Sequence, residues 1–239
     1  MIIMARKILY TGLAALAAAC GNDDQNQAAL RGPASEVSAR GDSIETDAPA
    51  PAPTVLVLGT SLTAGLGLTA DRAYPALIQA KIDSAGLGYR VVNAGVSGET
   101  SAGGLRRIDW LLRQPVSVLV LELGANDMLR GQELSALRGN LQEIIDRTRG
   151  VYPEARIVIA GLQAAPNLGE PYASEFAAVF AELARANEAA LVPFLLEGVA
   201  GIPGLNLADG NHPTAAGHAI VADNVWVVLE PVLREIASP

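Results

Sequence analysis

Asp209 and His212 stand three residues apart in Asp209-Gly210-Asn211-His212-Pro213, across a Gly-containing turn. An imidazole that is to act as a base needs a carboxylate to fix its tautomer and stabilise the imidazolium. This spacing lets both side chains face one side. The chain has 2 histidines. The second, His218, follows Gly217 inside a helical stretch and reads as a structural or surface residue. The partner for such a base would be a hydroxyl nucleophile. Ser61 sits in Gly59-Thr60-Ser61-Leu62-Thr63-Ala64-Gly65, directly after an apolar run. A strand-to-helix turn there would expose its hydroxyl near free backbone N–H groups. The pattern G-x-S-x-x-x-G is not the G-x-S-x-G nucleophile elbow. It also lacks the Gly-Lys-Ser/Thr ending of a phosphate loop. Taken alone, a Gly-Thr-Ser turn is more often a helix N-cap. Two further segments carry polar or backbone donors. Asn93-Ala94-Gly95-Val96-Ser97-Gly98-Glu99-Thr100 has two glycines that permit close approach of a ligand to the backbone. Gly124-Ala125-Asn126-Asp127 offers a side-chain amide suited to a developing oxyanion, or a plain turn residue.

The segments that carry Ser61, Gly98 and Asn126 each follow an apolar, β-branched run. The runs are 54–58 (TVLVL), 89–93 (YRVVN), 117–124 (SVLVLELG) and 155–161 (ARIVIAG), with a weaker fifth at 190–195 (ALVPFL). Such runs fit strands buried on both faces. Helical periods lie between them. Leu134, Leu137, Leu141, Ile144 and Ile145 share one helix face, as do Tyr172, Phe176, Val179, Phe180 and Leu183. Residues 71–86 begin with an acidic residue and end in glycine, and 214–236 form a last helix capped by Thr214. Strands alternating with helices imply a parallel sheet covered on both sides, an α/β three-layer sandwich. The expected form is a flavodoxin-like, doubly wound, five-stranded parallel sheet over 54–239. In such sheets ligands bind beyond the carboxyl ends of the strands. Ser61, Gly98, Asn126 and the Asp209/His212 pair are thereby expected on one sheet edge.

Composition narrows the partners. The chain of 239 residues is 50% hydrophobic and 18% charged, enough apolar material for a core. Its formal net charge of −8 and 4% aromatic content argue against wrapping or stacking on nucleic acid. A single cysteine, Cys20, excludes a disulfide framework and any cysteine-rich metal site.

The N-terminal segment reads as targeting rather than fold. Arg6 and Lys7 precede an apolar run from Ile8 to Ala19, shorter than the about 20 residues a membrane span needs. We read 1–19 as a signal peptide. Leu16-Ala17-Ala18-Ala19-Cys20 is similar to a bacterial lipobox, with Ala17 where leucine is usual. Ala17-x-Ala19 also reads as an ordinary signal-peptidase site. The lone cysteine at the acylation position favours a lipoprotein anchored through Cys20 over a secreted, unlipidated protein. Residues 20–53 are polar, acidic and rich in Ala and Pro near their end, and read as a disordered linker.

The four blocks in this order resemble the SGNH (GDSL-type) hydrolase superfamily, from about Thr54 to the C-terminus. The bacterial arylesterase, acyl-CoA thioesterase and lysophospholipase group is the nearest likeness. The resemblance implies the SGNH hydrolase fold, with Ser61 as nucleophile, His212 as base and Asp209 as its acid partner. It further implies an oxyanion hole of Ser61, Gly98 and Asn126, and a substrate-side segment at 166–180. Thr60 stands where the family usually has aspartate. The implied activity is hydrolysis of short-chain acyl or aryl esters, thioesters or lysophospholipids through an acyl-serine. No metal or organic cofactor is implied. A monomer in the bacterial cell envelope, periplasmic or lipid-anchored, is expected. Two other readings stay open: a carbohydrate O-deacetylase on the same fold, and a non-catalytic envelope lipoprotein.

Overall fold

A computed structural model describes residues 52–238. The signal segment 1–19, Cys20 and all but the last two residues of the 20–53 linker lie outside the described residues.

The chain enters the fold at strand β1 (Thr54–Gly59), whose six residues are all buried. β2 (Arg90–Gly95), β3 (Val118–Glu122), β4 (Arg156–Ala160) and β5 (Ala190–Val192) follow. All pair in parallel in the order β2-β1-β3-β4-β5. That is the expected doubly wound order, with its switch point between β1 and β3. β1 and β3 are central, and their Val and Leu side chains are buried on both faces. β5 is shorter than the run 190–195, because Pro193 cannot continue the ladder.

Seven α-helices run between the strands among the described residues: α1 (Ser61–Ala64), α2 (Tyr74–Ser84), α3 (Ser101–Leu111), α4 (Ala125–Leu129), α5 (Leu134–Val151), α6 (Glu170–Ala186) and α7 (Ala215–Ala237). α2 and α7 pack together on one side of the sheet; α3, α5 and α6 form the other layer. The expected faces of α5 and α6 are the buried ones, apart from Leu134 and Tyr172 at their first turns, which are half-buried. Thr214 caps α7 by accepting from the Gly217 N–H at 3.3 Å. The helix expected over 71–86 divides. Ala70–Arg72 form a 3₁₀ turn, and α2 starts at Tyr74 with Pro75 in its first turn, where the missing N–H costs nothing.

α3 has no counterpart in the periodicity of the sequence. Its buried face is Ser101, Gly103, Gly104 and Ile108, mostly small residues. A Cβ on Gly104 would collide with Leu123, so the glycine lets α3 approach the end of β3 closely.

Candidate active site

The turns at the carboxyl ends of β1, β2 and β3 and the loop before α7 carry the chemistry-bearing residues. β1 ends at Gly59. Thr60, in extended conformation, caps α1, and Ser61 is the first residue of that helix. Gly65, at φ 73, closes the turn, and its N–H donates to Ser61 O at 3.0 Å. Ser61 is thus held at a helix start, where the Leu62 N–H donates to the Thr60 hydroxyl at 3.4 Å.

His212 reaches the serine from the other end of the chain. Its Nε2 lies 2.8 Å from Ser61 Oγ, and its Nδ1 lies 2.7 Å from Asp209 Oδ2. Asp209 also accepts at Oδ1 from the Asn211 and His212 backbone N–H groups, at 2.9 and 3.0 Å. The Asn211 and His212 N–H groups, then the imidazole, hold its carboxyl down to about 2. An ionised carboxylate can only accept, so Nδ1 carries the hydrogen. Nε2 is left with a lone pair for the Ser61 hydroxyl. Gly210, at φ 73, permits the tight turn that brings the carboxylate back to its own neighbours. Two backbone bonds pin the loop: Leu207 N–H to His212 O at 2.7 Å and Thr214 N–H to Leu205 O at 2.9 Å.

Asn126 lies in α4, immediately beyond β3. Its Nδ2 donates to Glu99 O at 2.9 Å. The neighbouring Gly98, at φ 79, receives Arg130 Nη2 on its carbonyl oxygen at 2.7 Å. The Asn126 helix is therefore tied to the loop that carries Gly98. Two more contacts stabilise that loop. Glu99 pairs with Arg107, whose guanidinium also donates to Ala94 O. Buried Asp127 accepts from Ser101 N–H at 2.8 Å and from Ser101 Oγ–H at 2.5 Å, fixing the start of α3.

The hydrogen bonds bring Ser61, His212 and Asp209 into one run and join Asn126 to the Gly98 loop. His218 stands apart. It is buried, and its Nδ1 accepts from the Tyr74 N–H at 3.2 Å. Of the two expectations for it, the structural one holds. Sequence reasoning missed Glu122, the last residue of β3, which is fully buried beneath the serine turn. Its signal was present, as the sole charge in the run 117–124. Asp127, Glu99 and Arg107 were missed too; nothing in their local spacing marks their partners. Among the described residues, no group of three or more His, Cys, Asp or Glu side chains could hold a metal ion.

Comparison with known proteins places this geometry in a lineage. Residues 57–220 match the model of the GDSL-like Lipase/Acylhydrolase family. The chain is 42% identical over 185 residues to esterase TesA of Pseudomonas aeruginosa, covering 77% of this chain and 91% of that protein. It is 37% identical over 187 residues to thioesterase 1/protease 1/lysophospholipase L1 of Escherichia coli, covering 77% and 87%. Among solved structures, a psychrotrophic esterase EstA from Pseudoalteromonas sp., inhibited by monoethylphosphonate, superposes with a TM-score of 0.71. It has 31% identity and covers 76% of this chain and 98% of that one.

Proposed function

The chain belongs to the GDSL-like lipase/acylhydrolase family and is a serine hydrolase of carboxylic esters, and from that premise we propose how its residues divide the work. Ser61 is the nucleophile, His212 the base and Asp209 its positioning acid. The observation that carries this division is the unbroken run of hydrogen bonds Asp209–His212–Ser61.

As the Ser61 hydroxyl attacks the acyl carbonyl carbon, its proton passes to His212 Nε2. The imidazolium is stabilised by Asp209, whose other oxygen is held by two backbone N–H groups. The Ser61 and Gly98 N–H groups and the Asn126 amide receive the oxyanion. Collapse of the tetrahedral adduct expels the alcohol or thiol, which takes the proton from His212. Water then attacks the acyl-serine, gives its proton to His212, and the acid leaves as the Ser61 hydroxyl re-forms. Short-chain acyl and aryl esters are the proposed substrates, with thioesters and lysophospholipids as further classes that the relatives' names suggest.

The place of action is proposed to be the bacterial cell envelope, reached through the 1–19 signal, with the protein lipid-anchored if Cys20 is acylated. Both features lie outside the described residues and rest on the sequence and on the bacterial origin of the relatives.

Ser61→Ala tests the assignment. The variant is expected to keep its melting temperature and circular dichroism while losing hydrolysis of a chromogenic short-chain ester. A folded variant with parental turnover removes Ser61 from the mechanism.

A further inference from the structure

The Glu122 carboxylate is 0% exposed, yet no lysine or arginine pairs with it among the described residues. Its partners all come from the nucleophile turn. Oε2 accepts from the Thr60 N–H at 2.8 Å and from the Thr63 hydroxyl at 2.7 Å. The Thr60 hydroxyl lies between the two oxygens, at 3.0 and 3.1 Å, and donates to the carboxylate. Since Thr63 spends its one hydrogen on Glu122, the Tyr74 hydroxyl must donate to Thr63 Oγ1, at 2.8 Å. Three donors on the residues flanking Ser61 thus converge on one charge. Room for it exists because residue 59 is glycine: a Cβ there would lie 2.5 Å from Glu122 Oε2. An ionised carboxylate satisfies every donor; a protonated one would turn a hydrogen toward one of them.

Resting on the hydrolase reading above, we propose that Glu122 is a positioning residue. Its ionised carboxylate holds the Thr60–Thr63 turn, and so the Ser61 hydroxyl, in the attacking position, and its protonation releases that turn.

Burial pushes the Glu122 carboxyl up to about 7, against the pull of the Thr60 and Thr63 hydrogen bonds. The titratable groups around it are few. α2 contributes Tyr74, reached through Thr63, and α7 contributes His218, stacked on Tyr74 at 6.2 Å between ring centres. β1, paired beside it, contributes none at Gly59. Across the turn, Ser61 faces His212. Glu122 must be ionised for the turn to hold, so its protonation should add to the loss of rate on the acid side.

The test uses the parent chain, Glu122→Gln, Thr60→Val, Thr63→Val and Ser61→Ala. The readouts are kcat and KM on a chromogenic ester, the rate of Ser61 labelling by a fluorophosphonate, their pH profiles, and melting temperature. Glu122→Gln keeps the shape but sets an amide NH2 against the threonine donors. We expect kcat and labelling rate to fall together about 10- to 100-fold, as misplacement of a reacting group does. KM should change less than about twofold, and the acid limb should lose the part that Glu122 protonation contributes. Thr60→Val and Thr63→Val each remove one donor, and each should slow labelling by several-fold. A folded Glu122→Gln that labels at the parental rate, or with the parental acid limb, overturns the positioning role. If Glu122→Gln does not fold, parental labelling of both threonine variants overturns it. A parent chain that takes no label at Ser61 overturns the hydrolase reading itself, and this proposal with it.

Discussion

Replacing His218 with asparagine should change how stability responds to acid, and the size of the change follows from where the ring sits. His218 is 1% exposed, stacks on Tyr74 at 12° between planes, and accepts from the Tyr74 N–H through Nδ1. Burial, with the nearby His212 adding to it, holds the imidazole down from 6.5 to about 4. As pH falls through that window, the unfolded chain takes up a proton that the folded chain refuses. The contribution of His218 is therefore fully present above pH 6.5 and lost as pH falls to about 4. At about 1.4 kcal/mol per pH unit, the window is worth about 3 kcal/mol. Glu122 acts in the opposite sense. Its carboxyl is raised from 4.5 to about 7, so the folded chain takes up the proton first. Its contribution is present below pH 4.5 and lost as pH rises through about 7, again on the order of 3 kcal/mol. Between 4.5 and 6.5 the two nearly cancel in the parent. His218→Asn removes one arm while its Oδ1 can still accept from Tyr74. The variant should be less stable at pH 7.5 by about 1–3 kcal/mol, for the lost ring volume and stacking. That gap should shrink by about 2–3 kcal/mol as pH is lowered to 4.5. Urea unfolding of parent and variant at half-unit steps of pH measures the gap, and subtraction removes every group the two share. Parallel stability curves, with a gap constant to within about 0.5 kcal/mol, would refute the neutral buried histidine.

Asn126→Ala should lower kcat by about 10²–10³ while KM changes little, because the amide meets charge that exists only after attack. Steady-state kinetics at saturating ester measure this, and an unchanged kcat removes Asn126 from the oxyanion hole. Growth with an alkyne fatty acid should label the parent chain and leave Cys20→Ala unlabelled; no label on the parent ends the lipid-anchor reading.

The central sheet was legible because β1, β3 and β4 are continuous apolar runs bounded by glycine, whereas edge strand β2, expected to be buried on both faces, leaves Arg90 and Asn93 exposed. The candidate site was legible where the residues proposed for it follow those runs: Ser61 after β1, Gly98 after β2, Asn126 after β3. α3 escaped because its buried face is built of Ser101, Gly103 and Gly104, which give no hydrophobic period. The helix then needs tertiary contact with Leu123 and the Asp127 clamp on Ser101, and neither partner is local. The fifth strand stopped early at a proline that the run of apolar letters concealed.

Glu122 and His218 teach a different lesson. In sequence each looks like an intrusion: a charge inside a strand buried on both faces, a polar ring inside a core helix. Burying either without partners would be costly. Part of the cost is offset by groups 59 to 62 residues away for Glu122 and 144 residues away for His218, all of which converge near Tyr74 and the turn that carries Ser61. No window of sequence contains both sides of those bonds. A lone buried ionisable residue near a strand's carboxyl end is therefore a sequence signal of a specific kind. It announces that donors must arrive from elsewhere, and in a doubly wound sheet the nearest candidates are the turns that follow the adjacent strands. For Glu122 the adjacent strand is β1, which it meets in register at Gly59. The turn beyond Gly59 is the one that carries Ser61. By that argument a strand-end carboxylate in register with the residue before a nucleophile turn should be sought first as the support of that turn.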